Sequence, residues 1–371
     1  MTGHIPGTTV LRRHVKDSGS VAPGSNHVAL RAANERLILS LIRKHGQLSK
    51  AQIAELSGLT VQTASVISRS LIEAGLLVEG NPVRGRVGQP FVPLNIAPDG
   101  AMFFGLHVCS GKSSLALVNF SGMILEEKNV AYRRIDLSKI KKFTQDAIAQ
   151  IRSRFNLEKN SRIQGLGVSV ASDVIASLPW HEADEAFAGI GAACGLTSHV
   201  SSEAIAGCNA ELIFGRGMGL DDFAYIFIGD IISGGLVQNG RVRFSRENSG
   251  ANIGKVLVRD VNSSCVPLST LSTDINRSNS RDQLTSIAKA MAYASYSASS
   301  IVKFDTLVVD GSLKPDLMQE VCELLRAELT QLDGSEASSL SVRQGTRTPR
   351  TVALGAACLP LADRFFPDVL I

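Results

Sequence analysis

The chain has 371 residues, 44% of them hydrophobic and 19% charged, with a formal net charge of +4, which is ample for a soluble protein of two or three domains. No apolar run approaches the roughly 20 residues of a membrane span, and the basic residues Arg12, Arg13 and Lys16 are not followed by the apolar segment of a secretory signal. Cys109, Cys194, Cys208, Cys265, Cys322 and Cys358 are scattered without Cys-x-x-Cys spacing, so they read as small reduced core residues of a cytoplasmic protein, not a disulfide framework.

Charge is distributed unevenly. Up to Pro90 there are 11 basic and 5 acidic residues, and beyond it 27 basic and 29 acidic. An N-terminal module that meets a polyanion, with a larger part doing something else, fits that asymmetry.

Residues 1–27 are rich in Gly, Ser, Thr and Pro and read as a mobile tail. A DNA-binding module is expected over 28–95. From Asn34 to His45, the residues Leu37, Ile38, Leu41 and Ile42 make one apolar stripe and predict its first helix. Ser49 and Gln52 form a capping box that starts a second helix, whose apolar side is Ile53, Ala54 and Leu56. Ser57-Gly58-Leu59 breaks it, because glycine tolerates the left-handed backbone of a tight helix-to-helix turn, and Thr60 caps a third helix over Val61 to Ala74.

On that third helix Ala64, Ile67, Leu71 and Ile72 recur at core spacing, and Gln62, Thr63, Ser65 and Arg69 fall on the other side. Short polar side chains near the N-terminus of an exposed helix can hydrogen-bond base edges in a major groove. Gly75 ends the helix, Leu76-Leu77-Val78 begins a strand, and the basic wing Arg84-Gly85-Arg86-Val87-Gly88-Gln89-Pro90 is suited to phosphates or a narrow minor groove. The outline is a winged helix-turn-helix, for which Gln62, Thr63, Ser65, Arg69, Arg84 and Arg86 are the candidate DNA contacts. A small helical bundle with a polar surface is the plain alternative.

Pro90, Pro93 and Pro98 mark the exit from this module, and 96–371 form the second unit. There the texture becomes α/β. Strands are expected at Phe103 to Val108, Ser114 to Val118, Ile124 to Val130 and Ile163 to Val170, with a helix over Leu137 to Phe155. A second round follows, with strands at Phe223 to Ile228, Gly234 to Val237, Gly240 to Phe244 and Thr306 to Val309, and helices at Asp282 to Val302 and Leu317 to Leu332. Two such rounds suggest two related lobes.

The winged module, its Gly85 to Pro90 linker, and the stretches Gly105 to Gly122, Ala210 to Gly219 and Gly234 to Gly240 together resemble the repressor branch of the ROK family of repressors, open reading frames and sugar kinases. The resemblance implies an actin-like, hexokinase-like body of two lobes with a cleft that holds sugar and ATP in the kinases. It also implies double-stranded operator DNA as partner, a homodimer or higher homo-oligomer, and a sugar or sugar-phosphate effector.

Departures from the family pattern bear on chemistry. The first phosphate loop, Asp-Ile-Gly-Gly-Thr-Lys in the family, reads His107-Val108-Cys109-Ser110-Gly111-Lys112 here. The second reads Gly229-Asp230-Ile231-Ile232-Ser233-Gly234-Gly235, and Asp230 would repel a phosphate by about 4 kcal/mol at 4 Å and an effective dielectric near 20. The sugar-contacting stretch appears as Ser201-Ser202-Glu203-Ala204-Ile205, with Glu203 at the position of the catalytic aspartate. Glu-Ile-Gly-His becomes Asn252-Ile253-Gly254-Lys255, and the family's zinc cluster is reduced to Cys265.

From these residues a non-enzymatic regulator without cofactor or metal is expected, with Ser202, Glu203, Asn252 and Lys255 as candidate effector contacts. Glu203 also reads as a helix-capping carboxylate and Lys255 as a solvated surface lysine. A body serving only as a dimerisation platform, and an ATP-dependent sugar kinase, are the other two readings.

Overall fold

A computed structural model of the chain describes residues 23–83, 91–157, 162–177, 180–243, 252–260, 262–271, 281–333, 340–346 and 352–366. The N-terminal module comprises helices α1 (Pro23–His45), α2 (Lys50–Ser57) and α3 (Val61–Glu73), then strands β1 (Leu77–Glu79) and β2 (Leu94–Ile96). The local signals act as their chemistry dictates. The Gln52 amide donates to Ser49 Oγ (3.2 Å) and the Ser49 amide to Gln52 Oε1 (2.9 Å), Gly58 takes a left-handed φ of 71°, and the Thr63 amide donates to Thr60 Oγ1 at 3.1 Å.

β1 and β2 pair antiparallel, Leu48 bridges to Leu94, and Val83 bridges to Phe91 at the base of the wing. Helix α1 begins at Pro23, earlier than the apolar stripe alone predicts. Its first half, with Val28 and Leu30 largely exposed, has no stripe to betray it; Arg31 holds it to α3 by donating to Ser70 Oγ at 2.8 Å.

The body repeats one pattern twice. Lobe one contains β3 (Met102–Cys109), β4 (Lys112–Asn119), β5 (Ile124–Ala131), α4 (Leu137–Arg154), β6 (Ile163–Val170), α5 (Ser172–Ser177), α6 (Trp180–Ala193) and β7 (Ser198–Ser202). Helix α7 (Glu203–Phe214) crosses to lobe two, which contains β8 (Phe223–Ile228), β9 (Ile232–Gln238), β10 (Arg241–Val242), the short strands β11 (Leu257–Arg259) and β12 (Cys265–Pro267), α8 (Arg281–Ser299), β13 (Thr306–Gly311), α9 (Pro315–Asp333) and β14 (Ser341–Gln344). The last helix, α10 (Val352–Phe365), returns to lobe one.

The sheets run β5-β4-β3-β6-β7 and β10-β9-β8-β13-β14. In each the first three strands are antiparallel and the last three parallel, so the two orders are the same topology. This is the α/β two-lobed architecture expected from the doubled strand-and-helix pattern.

Alternation along the strands assigns the layers. Phe104 and Leu106 of β3 face α4 and α6, while Phe103 and Gly105 face α10. In lobe two Ala224 and Ile226 face α8 and α9, and Tyr225 and Phe227 face Ile205 and Cys208 of α7. One apolar core runs without a break from Ile38, Ile42 and Leu71 of the winged module to Phe103, Phe120, Ile213 and Phe365 of lobe one. The winged module is therefore seated on lobe one.

Candidate nucleic-acid interface and interlobe cleft

Helix α3 divides as an amphipathic helix must. Ala64, Ile67, Ser68 and Leu71 are buried against α1 and α2, and Ile72 is half-buried beside them. Gln62 and Arg69 are exposed; Thr63 and Ser65 are half-buried. The Thr63 hydroxyl lies 2.8 Å from that of Thr60, so part of its hydrogen-bonding capacity serves the cap. Arg84 and Arg86, and the wing tip 84–90 that carries them, lie outside the described residues, as do 1–22 of the tail.

Where the resemblance implies a cleft, loops from both lobes come together around Glu203. β3 and β4 are joined by the two-residue turn Ser110-Gly111, with Gly111 at φ 104°. The Tyr132 hydroxyl sits 2.8 Å from the Cys109 carbonyl and 2.9 Å from that of Lys112, which pins this turn. In the first phosphate loop the Ser110 amide donates to Asp173 Oδ2, and at the start of α5 the Ser172 amide donates to Glu203 Oε1, each at 3.0 Å. His107, standing at the family's acidic position, is buried, with Nδ1 2.8 Å from Ser169 Oγ.

From lobe two, a Cβ placed on Gly229 would lie 3.7 Å from Glu203 Oε1, so the second loop closes directly over that carboxylate. Burial, followed by the charges of Asp173 and Glu203 and more weakly Asp230, pushes the Cys109 thiol up to about 11. It is a protonated, inert thiol at neutral pH.

Glu203 is buried as the first residue of α7, where the helix dipole favours a carboxylate. Ser202 is half-buried and caps the same helix, accepting from the Ile205 amide. The other two candidate effector contacts belong to a 3-10 turn of lobe two, Ile253–Lys255. Asn252 Oδ1 accepts from the Gly234 and Gly254 amides, at 3.1 and 2.9 Å, and so ties that turn to β9. Lys255 is exposed.

Two groups of structural weight carry no local signature in the sequence. Glu211, fully buried on α7, accepts from the Arg216 amide and from the amide and hydroxyl of Thr346, at 2.7 to 2.8 Å, and so ties α7 to the segment after β14. Arg43 of α1 is half-buried, with its guanidinium among the rings of Phe120, Phe214 and Phe366, the guanidinium carbon 5.3, 4.8 and 4.5 Å from their centroids, and it donates to the Phe120 carbonyl at 3.1 Å. Both depend on residues far away in sequence.

A family model described as winged helix-turn-helix DNA-binding matches residues 31–78. The chain is 22% identical to the DNA-binding transcriptional repressor Mlc of Escherichia coli K12 over 92% of its own length and 84% of that protein. It is 23% identical to a putative xylose repressor of Caldicellulosiruptor sp. over 63% of this chain and 60% of that one. Among solved structures, a ROK family transcriptional regulator homologous to E. coli Mlc superposes with a TM-score of 0.67 at 16% identity, covering 91% of this chain and 97% of that one. A ROK family glucokinase from Streptomyces griseus, solved with glucose and AMPPNP, gives 0.54 at 17% identity over 69% of this chain and 98% of its own. The kinase matches a share of the chain the size of the body, whereas the regulator matches the whole architecture, so the chain joins a winged helix-turn-helix DNA-binding module to a body with the fold of the ROK proteins.

Proposed function

We propose that the chain represses genes of carbohydrate use by binding a two-fold operator as a homodimer in the cytoplasm, with a sugar-type effector taken into the cleft and no catalysis there. The division at residues 95 and 96 separates the DNA-binding part from the effector and dimerisation part. What carries the reading is the pairing of an exposed polar helix face in a winged module with a first phosphate loop whose Ser110 amide is already bonded to Asp173. The names of the relatives, xylose repressor and Mlc, support repression and a sugar; the glucokinase's glucose supports the cleft as the place for it. No helix among the described residues is long and apolar enough to cross a membrane, which agrees with such a role.

The test is selection of genomic DNA fragments on the full-length protein at near-physiological salt. A recurring two-fold motif that is released by a neutral sugar supports the reading, and retention without sequence preference sinks it. In this assignment Gln62, Thr63, Ser65 and Arg69 contact bases, and Arg84 and Arg86 grip the backbone. Gln62→Ala is then expected to cost about 1–3 kcal/mol and relax preference at particular positions. Arg84→Ala should weaken every sequence alike and lower the salt slope by about 1. Equal behaviour of the two variants in a binding-site titration would show the recognition face to be elsewhere.

In the cleft, Glu203 is the proposed polyol acceptor, beside Ser202, Asn252 and Lys255. Glu203→Gln keeps an oxygen for the Ser172 amide but removes the charge. A charge-assisted hydrogen bond contributes about 1.5–3 kcal/mol, so the sugar concentration for half-release of operator should rise at least tenfold while operator affinity without sugar stays the same. Unchanged release would remove Glu203 from the effector site.

A further inference from the structure

Two valines stand on the side of α3 proposed above to meet DNA, and none of the described residues covers them. Val61 is 60% and Val66 59% exposed, although both belong to a helix whose other apolar side chains are buried or half-buried. At about 100° per residue, Val61, Ser65, Arg69, Gln62 and Val66 follow one another around an arc of roughly 140°, Ala64, Ile67, Ser68 and Leu71 fill roughly 240° to 340° measured from Val61, and Ile72, in the last turn and packed on the core, falls at about 20°. The valines are thus the two edges of the same face that carries Gln62 and Arg69. An isolated exposed apolar residue is ordinary; two that bracket the polar readers of a recognition helix form a pattern with a chemical counterpart.

That counterpart is the C5-methyl of thymine, the apolar group that base edges present in the major groove. Valine suits it. Its β-branched side chain is fixed at χ1, so little freedom is lost when a methyl is packed against it. Val61 is the first residue of α3, at the end of a recognition helix that enters the groove most deeply. Five residues on, Val66 lies about 7.5 Å further along the axis, roughly two base-pair steps of about 3.4 Å.

We infer that Val61 and Val66 read thymine methyls and so fix A·T pairs at two positions of each half-site, about two steps apart, with Gln62 between them. This rests on the operator reading proposed above and adds to it a specificity determinant of different chemistry from the polar contacts.

A single-position deoxyuridine scan tests it, because uracil removes the methyl and keeps every hydrogen-bonding group. The operator fragment selected by the full-length chain is resynthesised with each thymine replaced in turn. Burial of a methyl is worth about 0.8 kcal/mol or somewhat more, so two positions per half-site should lose three- to tenfold in affinity. Val61→Ala should abolish the uracil effect at one and Val66→Ala at the other. Both side chains are on the surface, and the scan itself uses the unaltered protein.

A recurring operator with no uracil-sensitive position overturns this inference alone, as does sensitivity that persists in both alanine variants. Failure to select any recurring sequence overturns the operator reading and this inference with it.

Discussion

Arg43→Ala is expected to lower the free energy of unfolding by about 3 kcal/mol and to weaken operator binding, although Arg43 is not among the residues proposed to contact DNA. Its guanidinium stands among Phe120, Phe214 and Phe366 and bonds the Phe120 carbonyl. A desolvated cation over an aromatic face contributes about 2 kcal/mol, and a hydrogen bond from a charged donor about 1.5–3 kcal/mol. Against this stands the burial of the charge, which lowers the Arg43 pKa to about 10, and a buried Nε without a hydrogen-bond partner among the described residues. The guanidinium is still charged at neutral pH, so alanine removes attraction, packing and penalty together and leaves a cavity between the winged module and lobe one.

Arg43→Met separates these contributions, since it keeps the stem and loses the charge. It should recover about half of the loss in a urea titration. A methionine variant more stable than the wild type would mean that desolvation outweighs the three rings.

The position of Arg43 gives this contact a functional bearing. Phe214 is the last residue of α7 and Glu203 the first, so one helix of about 18 Å joins the cleft carboxylate to the ring that holds the winged module. Operator release by sugar should therefore be blunted in Arg43→Ala beyond what its lower affinity explains.

How much of this was legible in the sequence follows from how local each cause is. The capping box at Ser49, the left-handed Gly58 and the Thr60 cap act over three or four residues, and α2 and α3 form where those signals place them. The two lobes were visible because β3, β6, β8 and β13 are almost wholly buried and so almost wholly apolar. β7 was not, since Ser198-His199-Val200-Ser201-Ser202 is a strand by virtue of pairing with β6 and carries one apolar residue. Helix α10 was hidden by its internal Pro360.

In the site, the altered phosphate loops could be read directly, whereas the carboxylate of Asp173 on the Ser110 amide joins residues 63 apart and leaves no pattern. Arg43 shows the same limit from the other side. By charge alone it counts toward the basic N-terminal module; in the structure its guanidinium is enclosed by three aromatic rings.

Gly167→Ala is expected to be among the most damaging single changes in the body, at about 4 kcal/mol or more, for a reason that Pro360 explains. Proline has no amide hydrogen, so the carbonyl four residues earlier, that of Ala356, lacks its helical donor. A Cβ on Gly167 would fall inside contact distance of that carbonyl oxygen, and one on Gly165 would come within 2.9 Å of the Pro360 ring. Glycines on β6, with Gly105 on β3, let α10 lie flat on the sheet at the point where its own hydrogen bonding is interrupted. Close Cα–H···O contacts to the free carbonyl add a little.

Alanine there must push backbone against backbone, which rotamer changes cannot relieve. Displacing α10 also shifts Phe365 and Phe366, and with them the cage around Arg43, so operator affinity should fall together with stability. Gly189→Ala makes the contrast. That glycine lies within α6 with open space at its Cβ position, and alanine should stabilise by about 0.5–1 kcal/mol through helix propensity alone. Both variants can be followed by thermal unfolding with and without operator. If Gly167→Ala unfolds within about 1 kcal/mol of the wild type, α10 has room to move on the sheet, and the link from lobe one to the winged module must run through α7 alone.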